Sequence, residues 1–182
     1  MQEYSVFKEN NINMETSKET PKRYHPLLVA LHWLILFVLL GAGFLSEGEG
    51  RRSVIDIHMI LGAVLLVLMV IRLTVRITAK RPAWADTGNK YLNWFGELTH
   101  WAMYLAIFFI LGMGTWIAFS RNLVGYVLGS GAVERVPRFI GTIHHLGWFM
   151  ILGLLGLHVA GVLYHEVILN DRLLGRMWFG KR

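Results

Sequence analysis

Residues Ile143–Leu169 read IHHLGWFMILGLLGLHVAGVLYHEVIL, long enough to cross about 30 Å of hydrocarbon at ~1.5 Å of rise per residue. No Lys, Arg or Asp interrupts the stretch, and its one carboxylate, Glu166, stands near an end. It also places His144 and His158 14 positions apart. At ~100° and ~1.5 Å per residue, those rings share one face to within about 40° and lie about 21 Å apart along the axis. The first expectation is a membrane helix presenting imidazoles at two depths on one stripe.

Three further apolar blocks have spanning length, Leu27–Leu45, Ile55–Val75 and Leu98–Phe119, in a chain of 182 residues that is 54% hydrophobic. Mean hydropathy is +0.46. Little is left over for a soluble domain, so the expected fold is an all-α integral membrane protein, a four-transmembrane-helix bundle over residues 24–182. Residues 1–23 form a polar N-terminal tail without the apolar run and small-residue site of a signal peptide, so the first block is expected to stay in the mature protein. Glu47–Ser53 reads as a short outer turn, and Thr78–Glu97, with Pro82 and Gly88, as an inner linker. Ser120–Thr142 is the longest outer loop, and its mixture of apolar and basic residues suits a short interfacial helix.

Charge sets the expected orientation, because cytoplasmic loops carry the excess of Lys and Arg. With the N-terminus inside, 13 of the 18 basic residues fall inside, and only Arg51, Arg52, Arg121, Arg135 and Arg138 fall outside. Both termini are therefore expected in the cytoplasm, with the chain a multi-pass membrane protein. The net charge of +6 then reflects topology and anionic lipid, not nucleic acid. There is no cysteine, which excludes disulfides, iron–sulfur clusters, thiolate metal sites and covalently attached haem.

Helix direction alternates, which fixes the histidines that can meet. His32 lies roughly 8 Å in from the inner rim, level with His158, while His58 and His144 both stand near the outer rim. His145 is turned about 140° from His158 and reads as a rim residue, as does His25. Ionisable side chains within a span are costly and point to function, although single polar residues also bond helices together. Two pairs matched in depth favour metal ligation. Neutral imidazole is a haem axial ligand, so two non-covalent, bis-histidine b-type haems are expected, one on His32 and His158, the other on His58 and His144.

Gly62, Gly147 and Gly161 lie close to three of these histidines and would leave room for a flat macrocycle, or else serve close helix packing. Arg72, 14 residues below His58, falls at the depth of the inner pair. There it either binds haem propionates or snorkels to the inner surface.

The strings ALHWLILF, IDIHMILGAVLLVLMVIRLTVRI, LTHWAMYLAIFFILGMG and GLHVAGVLYHEVILNDRLLGRMW resemble the bacterial cytochrome b561 family, which includes membrane superoxide oxidases. The likeness runs from about Tyr24 onward and assigns the same four haem ligands. It implies a quinone site, for ubiquinone or another quinone, at the inner end near His100 and His165. An imidazole is suited to proton delivery there; two rim histidines bonded to lipid or main chain are the plainer reading. Glu166 is then either a proton intake or a surface carboxylate. The function implied is electron transfer between an outer donor, superoxide or a redox protein, and the quinone pool, as a quinone-linked oxidoreductase. Related cytochromes serve as membrane subunits of hydrogenases or other dehydrogenases, and a non-redox metal-ion transporter is a further alternative.

Overall fold

The computed structural model describes residues 23–45, 52–80, 82–130, 132 and 138–178. The polar tail, most of the outer turn and the charges at Arg51, Arg81, Glu134, Arg135, Lys181 and Arg182 lie outside the described residues.

Helix α1 covers Pro26–Phe44, with Pro26 in the first helical turn and His25 Nδ1 accepting from Leu27 N at 3.2 Å. Proline suits that position because its missing N–H has no intrahelical partner to lose. Helix α2 covers Arg52–Thr78 and α3 covers Lys90–Ser120. A short α4, Leu123–Val127, precedes α5, Arg138–Leu163, which widens into a π-helical turn at Tyr164–Ile168. A last short helix, α6, covers Leu173–Arg176. Helices α1, α2, α3 and α5 with its π-helical extension are long and apolar enough to span a bilayer. Among the described residues there is no strand.

The spanning helices pack chiefly as two antiparallel hairpins, α1 with α2 and α3 with α5. The hairpins meet along a thinner seam, filled by Leu31, Ile35 and Leu39 of α1, Leu65 and Met69 of α2, Ile107 and Ile110 of α3 and Ile151 of α5. Large apolar side chains cover the outside as well: Phe37, Leu105 and Phe119 are 67%, 73% and 73% exposed. A helix apolar on all sides is what lipid, not water, surrounds.

Two boundaries differ most from those read in the sequence. Helix α3 starts at Lys90 rather than Leu98, because Asn89 Oδ1 caps it by accepting from Tyr91 N at 2.9 Å. The cap adds two turns of mixed polarity that a hydropathy window passes over, and the inner linker shrinks to residues 79–89. Helix α5 starts at Arg138 rather than Ile143, and the short α4 stands in the outer loop.

The described ends of the chain come together at one end of the bundle, here called the terminal end. Tyr24 N donates to Arg176 O at 3.2 Å, Trp33 Nε1 donates to Met177 O at 3.2 Å, and Arg176 Nη1 donates to Ala83 O at 3.0 Å. The C-terminal segment thus straps α1 to the α2–α3 linker.

Candidate functional site

Both histidine pairs face each other across the seam between the hairpins. The rings of His32 on α1 and His158 on α5 have centroids 6.1 Å apart, and those of His58 on α2 and His144 on α5 are 5.9 Å apart. Both pairs are arranged nearly edge to face, with interplanar angles of 73° and 82°. A metal bound at about 2 Å from each nitrogen, with each ring centre roughly 1 Å behind it, asks for a centroid separation of about 6 Å. Both pairs stand at that separation.

His100 alters the picture at the terminal end. The sequence reading put it at the start of α3, level with His165; the eight added residues of α3 carry it deeper into the helix. Its ring stands 4.9 Å from that of His158 and 5.8 Å from that of Trp84. At 4.9 Å the His100–His158 pair is too close to hold a metal between them, so His32 remains the better-spaced partner of His158. His100 connects the lower pair to the linker instead. His165 is buried and faces Asp171, with Nδ1 2.7 Å from Oδ2.

Main-chain and side-chain bonds hold the rings. His58 Nδ1 donates to Ala42 O at 2.9 Å, which leaves the lone pair of Nε2 for a ligand, the tautomer an axial histidine needs. The buried Nδ1 of His144 has no hydrogen bond among the described residues. Arg72 sits at the depth of the lower pair, as its spacing from His58 suggested. It donates from Nε to Tyr104 Oη, from Nη1 to Leu28 O and from Nη2 to His32 Nδ1, each at 3.1 Å. It therefore packs inward and does not snorkel.

The glycines divide. A side chain on Gly62 or Gly161 would meet nothing within 4 Å; Gly62 is half-buried one turn from His58, whereas Gly161 is exposed and its open space lies outside the bundle. Gly147 is buried against Ile110, 3.4 Å from where its Cβ would stand, and so serves close packing of α5 on α3 rather than a macrocycle. Sequence reasoning missed Gly114, where a Cβ would lie 3.0 Å from His144 Cε1. The signal available was a glycine on the helix that faces His144. His145 is exposed and lies against Phe149, with centroids 5.1 Å apart, away from the pairs. Glu166 Oε2 accepts from Leu174 N at 3.2 Å, which makes it a cap of α6.

The donor set is imidazole alone, in facing pairs, and among the described residues no group of three or more His, Asp or Glu is arranged to hold a bare ion. Facing pairs of imidazoles suit a haem, whose porphyrin supplies the other iron ligands. The sequence comparisons agree. The model of the prokaryotic cytochrome b561 family matches residues 23–180. A relative from Yersinia pestis, named probable superoxide oxidase CybB, is 27% identical over 178 residues, covering 88% of this chain and 98% of the relative. By a family match that takes in all four spanning helices, this chain belongs to the prokaryotic cytochrome b561 family.

Proposed function

We propose that this protein is a di-haem b oxidoreductase of the bacterial inner membrane that moves electrons between a donor at the end opposite the termini and quinone at the terminal, cytoplasmic end. The observation that carries the reading is the presence of two facing imidazole pairs, 6.1 and 5.9 Å apart, at two levels of one bundle. His32 and His158 would hold one haem and His58 and His144 the other, without covalent links. When bound, the haems would supply one-electron redox chemistry at two depths of the bilayer.

The chain's own residues then have distinct tasks. Ala42 O fixes the tautomer of His58, and Gly114 leaves His144 the space it occupies. Arg72 offers a guanidinium to the lower level, where it would pair with propionates. His100, between His158 and Trp84, would separate the lower haem from the linker, and His165 would meet the quinone. The name of the Yersinia relative supports superoxide as the donor. Two superoxide anions, one quinone and two protons give two dioxygen molecules and one quinol. An anionic donor would be steered by Arg121 and Arg138 at the far end.

The test is anaerobic mixing of purified protein with a superoxide source and excess quinone, recording the haem optical bands and quinol together. Reduction of the bands with quinol formation supports the reading. Absence of turnover in haem-loaded protein that co-purifies with a dehydrogenase would replace it with the partner-subunit function.

A further inference from the structure

His165 and Asp171 are held together more firmly than a surface contact requires. The π-helical turn Tyr164–Ile168 changes the register of α5 just where His165 stands, and such widened turns recur at functional sites. The chain then reverses through two non-glycine residues in the left-handed region, Asn170 at φ 53° and Arg172 at φ 52°. Between them, Asp171 grips His165 twice: its main-chain N donates to His165 O at 3.2 Å, and its Oδ2 accepts from Nδ1 at 2.7 Å.

The pair also spans from interior to surface. The His165 side chain is 11% exposed and that of Asp171 26% exposed. Asp171 Oδ1 is buried without a hydrogen bond among the described residues, a cost that a bond serving only to staple the tail would not need. With Nδ1 engaged by the carboxylate, Nε2 is the nitrogen left to exchange a proton. Glu166, the nearer carboxylate in sequence, is occupied at α6.

We propose that Asp171 is the positioning residue of a proton-donating dyad with His165, fixing the proton of the ring on Nδ1 and supporting the imidazolium that protonates quinone. The inference rests on the quinone-reducing reading above. As a quinone gains two electrons, supplied by two superoxide anions, one quinone oxygen takes the proton from His165 Nε2. That N–H bond breaks as an O–H bond forms, the other oxygen takes a proton from water, and the ring is left neutral with its proton on Nδ1. After quinol departs, Nε2 is reprotonated from water.

The experiment uses the haem-loaded full chain, as the unmodified protein and as Asp171→Asn. ¹⁵N-histidine NMR of the reduced protein, with His165 assigned through His165→Gln, reads the tautomer; superoxide-driven ubiquinone-1 reduction reads turnover. The expected result is Nδ1–H in the unmodified protein, a mixed tautomer in Asp171→Asn, and kcat lowered roughly tenfold to a hundredfold with KM for quinone nearly unchanged, the scale of a misplaced general acid. Asp171→Glu is expected to restore part of kcat. A neutral ring with its proton on Nε2 alone in the unmodified protein overturns the proposal even if Asp171→Asn fails to fold. Equal kcat in the unmodified protein and a folded Asp171→Asn overturns the proposal alone, whereas an unmodified protein that reduces no quinone removes the functional reading and the dyad's role with it.

Discussion

Arg72 Nη2 lies 3.1 Å from Nδ1 of His32, so the guanidinium donates and the ring nitrogen accepts. A neutral His32 in this bond carries its proton on Nε2, the reverse of His58, whose Nδ1 donates to Ala42 O. An iron ligand needs the lone pair of Nε2, so filling the lower site requires Arg72 to release His32 and turn, with the haem propionates as its natural new partner. Replacing Arg72 with Leu removes both partners. Haem at the lower level should then dissociate faster, by roughly tenfold to a hundredfold if one or two charge-assisted bonds are lost. The outer haem should be unaffected, and transfer to apomyoglobin followed at the two optical bands measures both rates.

Gly114 and His144 form the tightest contact at the other level, with only 3.0 Å between the place of a Cβ and His144 Cε1. Gly114→Ala should displace that ring from the His58 axis. The expected outcome is lower retention of the outer haem and a broadened outer band, with the lower haem intact. Low-temperature spectra of the two variants side by side would show the reciprocal pattern to Arg72→Leu.

Gly43 lets α1 pass the indole of Trp148, since a Cβ there would stand 2.3 Å from two of its ring carbons. A rigid indole packed on Phe44, with centroids 5.5 Å apart, has little room to retreat. Gly43→Ala is therefore expected to overpack this contact and destabilise the protein by about 1–3 kcal/mol. Thermal unfolding in detergent, followed by helical circular dichroism, reads the change.

Asp86 organises the start of α3 from the linker, accepting from Asn93 Nδ2 at 2.7 Å and from Gly88 N at 2.9 Å. The Asn93 bond first, and the Gly88 bond second, hold its carboxyl below the ordinary value of 3.8. Because the folded value is the lower one, the contribution is present above the unfolded value and is lost as pH falls through the folded one. Asp86→Ala should speed amide exchange in the first turn of α3 near neutral pH, and the difference from the unmodified protein should close as pH is lowered through the carboxyl's range.

The four spans were legible because lipid demands a run of apolar residues that nothing else in a chain this short explains. The depth of the four paired histidines followed from alternating helix direction, which is why His32 met His158 and His58 met His144. Features that depend on a single local bond were not legible. The Asn89 cap lengthened α3 and carried His100 against His158, and the π-helical turn changed the register that a fixed 100° per residue assumes for His165. Gly147 resembled Gly62 and Gly161 in sequence, yet Ile110 fills the space beside it. Each bond of the strap through Tyr24, Trp33, Ala83 and Arg176 ends on a main-chain carbonyl, which carries no sequence signal.

The account turns on two haems held by separate histidine pairs. Its most direct measurement is haem content per chain by the pyridine haemochrome method on the unmodified protein, His144→Ala and His158→Ala. The expected result is two equivalents in the unmodified protein and one in each variant, with the outer optical band missing in the first variant and the lower band in the second. One equivalent or fewer in fully loaded unmodified protein, or two retained in either variant, would contradict it.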